Sequence, residues 1–465
     1  MRTFPKLFRT PVLLLMVLLL VLRAFSLSAS ATQPPAMPEG PELAAAAWIL
    51  IDPETGRELT ARNPDERRSP ASTTKILTAL VALENAPLDT PMTASQTAID
   101  SVGYDYVRAG ILPGETLTLR TLLEMMLVTS ANEAGYIIAE NISPDHTLAG
   151  FNTLMNERAK QLGISDADLH FTNPCGVEEE GHYATARALA RVAQEAMKNG
   201  TFREIVAMTG ITAPDTNLRT SADWQIGHLT PTNELVSNPA LYGSKHFKAT
   251  GIKTGYTTPA GRCLVSSGVN PDGLSFIGVV LGAESPEVSF RESRRLLEFG
   301  FSNYVRQELK LSGEYYGRFD VLDAEDDTRI TINTSGSLEW LMPADPALAA
   351  AITTEEALLP ETFTAPITTG ETLGELRVFV LSEQVGSVQL VAGNDVPKSR
   401  WADIRDRYLE FLANPLWMSI LKTAAVVLVL LLLLRLVLRS ISRRRNRRWY
   451  SRSRRNNHRI TQFRK

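Results

Sequence analysis

The chain has 465 residues, 44% of them hydrophobic and 21% charged, with 48 Lys and Arg against 51 Asp and Glu for a formal net charge of −3. Two cysteines are too few for a disulfide framework, and the six histidines show no paired helical spacing for a metal, so no metal or cofactor is implied. The near-neutral total hides two regions of opposite sign: residues 439–465 carry 12 Lys or Arg and no acidic residue, leaving −3 − 12 = −15 for the rest.

In chain order, Arg2, Lys6 and Arg9 precede the apolar run from Pro11 to Leu22, and Ala29-Ser30-Ala31 follows with small residues, the pattern of a secretory signal peptide over residues 1–31. The run is short for an uncleaved anchor across a bilayer core of ~30 Å. Ala47 to Ile51 and Arg57 to Arg62 flank Asp52-Pro53-Glu54-Thr55-Gly56 as a hairpin. Pro70 and Ala71 lead into a helix opened by Ser72, with Ile76, Leu77, Leu80, Val81 and Leu83 at helical spacing up to Glu84. Leu122 to Val128 and Thr185 to Met197 show the same period, and Ile277 to Gly282 reads as a buried strand.

About 380 residues between the two ends suffice for two domains on a prior of ~150 residues each. The first, 41–305, mixes strands and helices. The second, 306–398, alternates or runs apolar at Arg329–Ile332, Leu376–Leu381 and Ser387–Val391, which suggests a small all-β domain, read as a spacer. A linker over 399–414 follows. Residues 415–438 are almost wholly apolar and as a helix would be ~36 Å long, so they form a transmembrane candidate. Its two charges, Lys422 and Arg435, must snorkel toward opposite interfaces, with Trp417 in the outer belt. Beside such a helix the basic tail, 439–465, reads as a cytoplasmic segment attracted to anionic lipid and not as a nucleic-acid arm, which puts the acidic bulk of the chain on the other side.

Three short motifs carry chemistry: Ser72-Thr73-Thr74-Lys75, Ser130-Ala131-Asn132 and Lys253-Thr254-Gly255. A serine hydroxyl is a poor nucleophile at neutral pH and needs a base within hydrogen-bond reach. On a helix Lys75 lies one turn beyond Ser72 on the same face. Its amine is a base only when neutral, so its pKa must fall through burial or a nearby positive charge, which Lys253 could supply.

With these motifs, Asp52-Pro53-Glu54-Thr55-Gly56, Asn173-Pro174-Cys175-Gly176, Gly181-His182-Tyr183-Ala184-Thr185-Ala186 and the run from Gly251 to Thr257 with Ala260-Gly261, the chain resembles the low-molecular-mass penicillin-binding proteins that act as serine-type D-alanyl-D-alanine carboxypeptidases. The likeness runs from about Pro41 to Val305 and more loosely to about Val396. It implies an α/β (α+β) catalytic domain of the penicillin-binding, serine β-lactamase-like kind, with an antiparallel sheet, helices on both faces and a helical lobe bearing Ser130 and Asn132. By position it implies Ser72 as the acylated nucleophile, Lys75 as its base and Ser130 as proton relay to the leaving D-alanine. Asn132 would hold a substrate amide, Lys253 would polarise Ser130 and favour the terminal carboxylate, and Thr254, before Gly255, would bind that carboxylate. The backbone N–H groups of Ser72 and Tyr256 would form the oxyanion hole. The resemblance also implies a carboxylate-binding arginine just before the helix behind the site; in Pro286-Glu287-Val288-Ser289-Phe290-Arg291-Glu292 the nearest candidate, Arg291, stands somewhat later than the pattern places it.

The expected partners are peptidoglycan stem pentapeptides, β-lactam antibiotics as covalent inhibitors, and a membrane reached through the C-terminal helix; no nucleic-acid partner is expected. A serine β-lactamase shares all three motifs but needs a base for its deacylating water, and no glutamate motif for it stands out between Asn132 and Lys253. A silent wall-binding scaffold is the rival of another class, disfavoured because every motif residue is intact. Cys175 and Cys263 read as separate buried thiols, and His182 as a loop hydrogen-bonder.

Overall fold

The computed structural model describes residues 37–225 and 229–460; the expected signal peptide lies outside the described residues. The described chain divides into two compact units, one of residues 37–308, 339–354 and 380–383, the other of 309–338, 355–379 and 384–460. The change of unit falls near the expected 305/306 boundary, but two later stretches return to the first unit, so the small β domain is not one continuous segment.

The first unit is organised by a five-stranded antiparallel sheet of β1 (Ala47–Ile51), β2 (Glu58–Arg62), β3 (Lys248–Thr257), β4 (Gly261–Val269) and β5 (Ser275–Ala283), in the order β2-β1-β5-β4-β3. Successive side chains on a strand point to opposite faces. Ala47, Ile49, Ile51, Val265, Ile277, Val279 and Leu281 accordingly enter one core, and Trp48, Leu50, Leu264, Phe276 and Val280 another. A sheet apolar on both faces must be covered on both.

Helices supply that cover. In chain order they are α1 (Lys75–Asn85), α2 (Leu119–Val128), α3 (Asn132–Ile142), α4 (Leu148–Gln161), α5 (Ala186–Ala196) and α6 (Pro286–Asn303). α5 packs on the first face and α6 on the second, while α1 to α4 enlarge the first core into a helical lobe. This is the expected architecture. Thr118, Thr147, Thr185 and Ser285 cap α2, α4, α5 and α6 by accepting a backbone N–H, each worth ~1 kcal/mol. α1 and α3 begin without a side-chain cap, and both begin at the site described below.

The second unit is built on another five-stranded sheet, β6 (Tyr315–Phe319), β7 (Ile330–Ser335), β8 (Thr353–Leu358), β9 (Thr372–Val380) and β10 (Glu383–Ala392), in the order β6-β7-β10-β9-β8. Ile330, Ile332, Leu376, Val388, Leu390 and Val396 form its core. The expected linker is mostly helix, α7 (Arg400–Ala413), followed by α8 (Pro415–Ile460). The segment Pro415–Arg443 of α8 is long and apolar enough to cross a membrane, its 18-residue apolar window having mean hydropathy 2.6.

Candidate active site

The first unit holds a cleft of about 700 Å³ lined by Ser72, Ser130, Asn132, Thr254, Gly255 and Tyr256, so all three sequence motifs reach it. Lys75 and Lys253 lie beneath its floor, each 0% exposed. Ser72 sits in a 3-10 turn, Ala71–Thr74, that runs into α1. In that tighter helix residues i and i+3 eclipse, which sets Lys75 over Ser72.

The contacts of Lys75 define the chemistry. Its Nζ lies 2.8 Å from Ser72 Oγ, 2.7 Å from Asn132 Oδ1 and 3.2 Å from Cys175 O. The Asn132 carboxamide is oriented by Nδ2, which donates to Val107 O at 2.9 Å, leaving Oδ1 toward the amine. Both Oδ1 and the Cys175 carbonyl can only accept. A neutral amine has two N–H groups and one lone pair, so these acceptors use both hydrogens and the lone pair is left for the Ser72 hydroxyl.

Two glycines permit this approach. Asn173 Oδ1 gathers the backbone N–H groups of Cys175, Gly176 and Val177 at 3.1, 2.8 and 3.0 Å, folding the loop that aims Cys175 O at the amine. Gly176 has φ +78, and a Cβ there would stand 1.8 Å from Ala71 O. A Cβ on Gly255 would meet Pro70 O at 3.0 Å and Ser72 N at 3.1 Å. The backbone of β3 thus lies against the first N–H groups of the nucleophile turn, which a helix start leaves without intrahelical partners.

Burial lowers Lys75 from 10.5 to about 8, with Glu133 among the groups that partly restore it. Burial, then the charge of Lys75, holds Lys253 well below the usual amine range. Two buried ammonium groups so close cannot both be cheaply charged. Lys253 Nζ donates to Thr254 O at 3.1 Å, and no hydrogen bond joins it to Ser130 among the described residues, so the expected polarisation of Ser130 is not made in this state. Thr254 Oγ1 shares a 2.7 Å hydrogen bond with Thr232.

His182 is buried below the turn. Its Nδ1 accepts from Thr172 N at 3.1 Å, leaving Nε2 to donate to Thr74 Oγ1 at 3.0 Å, and burial lowers it to about 4. Cys175 and Cys263 are both free and buried, burial raising each to about 11.

Some cleft residues escape sequence reasoning. Glu178 lines the cleft, but one of its oxygens accepts from Ser69 Oγ at 2.5 Å and from Thr257 Oγ1, fastening the approach to Ser72 to the end of β3. Glu133, directly after the second motif, accepts from Gly110 N at 2.7 Å and Ile111 N at 3.3 Å and so holds the 103–111 loop, which lends Asp105, Tyr106 and Val107 to the rim. Arg262 also lines the cleft, pairing across the β3–β4 hairpin with Tyr256. Arg291 does not reach it. A helix turns 100° per residue, and Ser289 and Phe290 of α6 face the cleft, so Arg291 is carried outward to a separate groove with Gly40, Trp48 and Arg62.

The chain is similar to known proteins over most of its length. A family model described as D-alanyl-D-alanine carboxypeptidase matches residues 30–285, more than half of the chain. The D-alanyl-D-alanine carboxypeptidase DacF of Bacillus subtilis is 29% identical over 356 residues, covering 76% of this chain and 85% of its own. A D-alanyl-D-alanine carboxypeptidase of a Streptomyces strain is 31% identical over 273 residues, 56% of this chain and 89% of its own. Among solved structures, the D-alanyl-D-alanine carboxypeptidase DacD of Francisella tularensis superposes with a TM-score of 0.57 at 26% identity, over 80% of this chain and 98% of that one.

Proposed function

The chain belongs to the D-alanyl-D-alanine carboxypeptidase family, and from that premise we propose how its residues remove the terminal D-alanine from peptidoglycan stem pentapeptides. The enzyme is of the serine type. Ser72 Oγ attacks the carbonyl between the last two D-alanines while its proton passes to the neutral Lys75 amine. The N–H groups of Ser72 and Tyr256 receive the oxyanion; such donors contribute ~3 kcal/mol each to a transition state. The C–N bond then breaks, Ser130 relays a proton to the departing amino group, and water hydrolyses the Ser72 ester to release the shortened peptide.

The incoming terminal carboxylate favours the ammonium form of Lys253, with Thr254 as its hydroxyl partner. Asn132 positions the Lys75 amine, and to bind a substrate amide its Nδ2 must exchange Val107 O for the substrate carbonyl. β-Lactams resemble the terminal dipeptide and are expected to acylate Ser72 and leave slowly. The apolar part of α8 is the candidate membrane anchor; we read the catalytic unit as extracytoplasmic and the basic tail as cytoplasmic.

The observation that carries this reading is the placement of Lys75 Nζ 2.8 Å from Ser72 Oγ and against two obligate acceptors, Asn132 Oδ1 and Cys175 O. Mass spectrometry of a stem pentapeptide incubated with the enzyme should show loss of one alanine, and Ser72→Ala should abolish both that loss and labelling by a fluorescent penicillin. Labelling that survives in Ser72→Ala would refute the nucleophile.

A further inference from the structure

The wall of the cleft carries a carboxylate that the mechanism above does not use. Glu178 accepts the Ser69 hydroxyl at 2.5 Å and the Thr257 hydroxyl through the same oxygen, Oε1. Its second oxygen, Oε2, takes no hydrogen bond, and no Lys, Arg or His nitrogen lies within 4.0 Å of the carboxylate, among the described residues. The side chain is half-buried and pinned from two elements, so its charge is held in place at the end of β3 and does not wander as a surface carboxylate does. The other acids of the lining stand elsewhere. Asp105 is on the exposed 103–111 loop, and Glu234 lies beyond Thr232, whose hydroxyl bonds Thr254 near the other end of the β3 lining.

The neighbouring strand says what passes this carboxylate. β3 is an edge strand, paired with β4 on one side only, and Thr254, Gly255, Tyr256 and Thr257 line the cleft along it. An extended peptide can pair along such an edge. With the terminal carboxylate at Thr254 and the scissile carbonyl at the Tyr256 N–H, the part of the substrate that precedes the two D-alanines continues past Thr257 at ~3.3 Å per residue, which brings the residue before them beside Glu178. A lysine-like side chain has a flexible four-carbon stem, long enough for its terminal ammonium to reach that carboxylate. We propose that Glu178 binds a free side-chain ammonium on the residue preceding the D-alanine pair, and so selects stem peptides in which that amine is unmodified. The proposal rests on the reading of Ser72 as nucleophile. An ammonium and a carboxylate form a charge-assisted pair that an amide at the same position cannot reproduce. The enzyme is thereby placed ahead of any reaction that acylates the amine.

The test uses the full-length protein in detergent micelles with two pentapeptides ending in D-Ala-D-Ala. Both have lysine as the third residue, its ε-amine free in one and acetylated in the other. At low ionic strength the unmodified enzyme is expected to favour the free amine by about tenfold in kcat/KM, the scale of one charge-assisted pair at a half-open site, and the preference should shrink in high salt. Glu178→Gln keeps an oxygen for Ser69 and Thr257 and removes the charge. It should fall about tenfold on the free amine and no more than about threefold on the acetylated peptide, erasing the preference. A wild-type enzyme indifferent to acetylation would overturn the proposal. So would equal losses on both peptides, which would mark Glu178 as a fastening of the fold alone, or a Glu178→Gln enzyme that keeps the wild-type preference. Each of these results leaves Ser72 labelling by penicillin intact, whereas a wild-type protein that takes no penicillin removes the proposal together with the reading beneath it.

Discussion

The depressed Lys75 amine makes the pH dependence of acylation calculable. An ordinary lysine at 10.5 is neutral in about 0.03% of molecules at pH 7, while one at about 8 is neutral in roughly 10%. The gain is about 300-fold in competent enzyme, or about 3 kcal/mol at 1.36 kcal/mol per unit. The second-order rate of Ser72 acylation by a fluorescent penicillin should therefore climb nearly tenfold from pH 6 to 7, about fivefold from 7 to 8, and level off above 9. Few other cleft groups can counterfeit this limb, because His182 lies near 4 and Cys175 near 11; the limb belongs to the Lys75–Lys253 pair. Glu133→Gln keeps the acceptor for Gly110 N but removes a carboxylate that favours the ammonium, so its midpoint should move to lower pH. A profile flat between pH 6 and 9, or one rising only near 10.5, would sink the reasoning. The same group affects stability. The unfolded chain holds this proton up to 10.5 and the folded chain only to about 8, so the unfolded state binds more protons in that window and Lys75's contribution to stability improves by about 3 kcal/mol as pH rises through it.

Two further outcomes are expected. Gly176→Ala should cost about 3 kcal/mol or more by urea denaturation, since the new methyl meets Ala71 O and the backbone stays left-handed; a shift below 1 kcal/mol would show that the loop is not wedged under the nucleophile turn. Both thiols should resist a disulfide reagent in the native protein at pH 8 and both should react after denaturation, and rapid native labelling would contradict their burial.

What the sequence disclosed follows from range. The Ala47–Ile51 hairpin, the Thr185-capped helix and the Ile277 strand are local patterns of apolar period and turn chemistry, and all are present. The apolar face of α7, at Trp401, Ile404, Tyr408 and Phe411, carries the same kind of signal within the stretch read as a linker, but its apolar residues are interrupted by charged ones and form no continuous run. Contacts fixed by the assembled fold were not legible. Cys175 serves Lys75 through a backbone carbonyl, which has no residue-type signature. Arg262 reaches the cleft only because the β3–β4 register pairs it with Tyr256, and Arg291 is lost to it by the phase of one helix. The motifs alone point to Lys253 as a positive charge near Lys75, but in the fold it is burial that lowers Lys75, and the repulsion falls on Lys253.

The order of the sheet bears on how the molecule comes into being. β1, near the start, is flanked on one side by β2 and on the other by β5, whose Leu281 stands beside Ala47. All three motifs, and all of the cleft lining except the part from α6, are encoded between those two partners. Until β5 has been synthesised, the apolar edge of the opening hairpin has no neighbour, and pairing over so long a loop is slow. A prematurely terminated chain ending before residue 275 is thus an unclosed sheet with a bare, sticky border, prone to recruit its own kind.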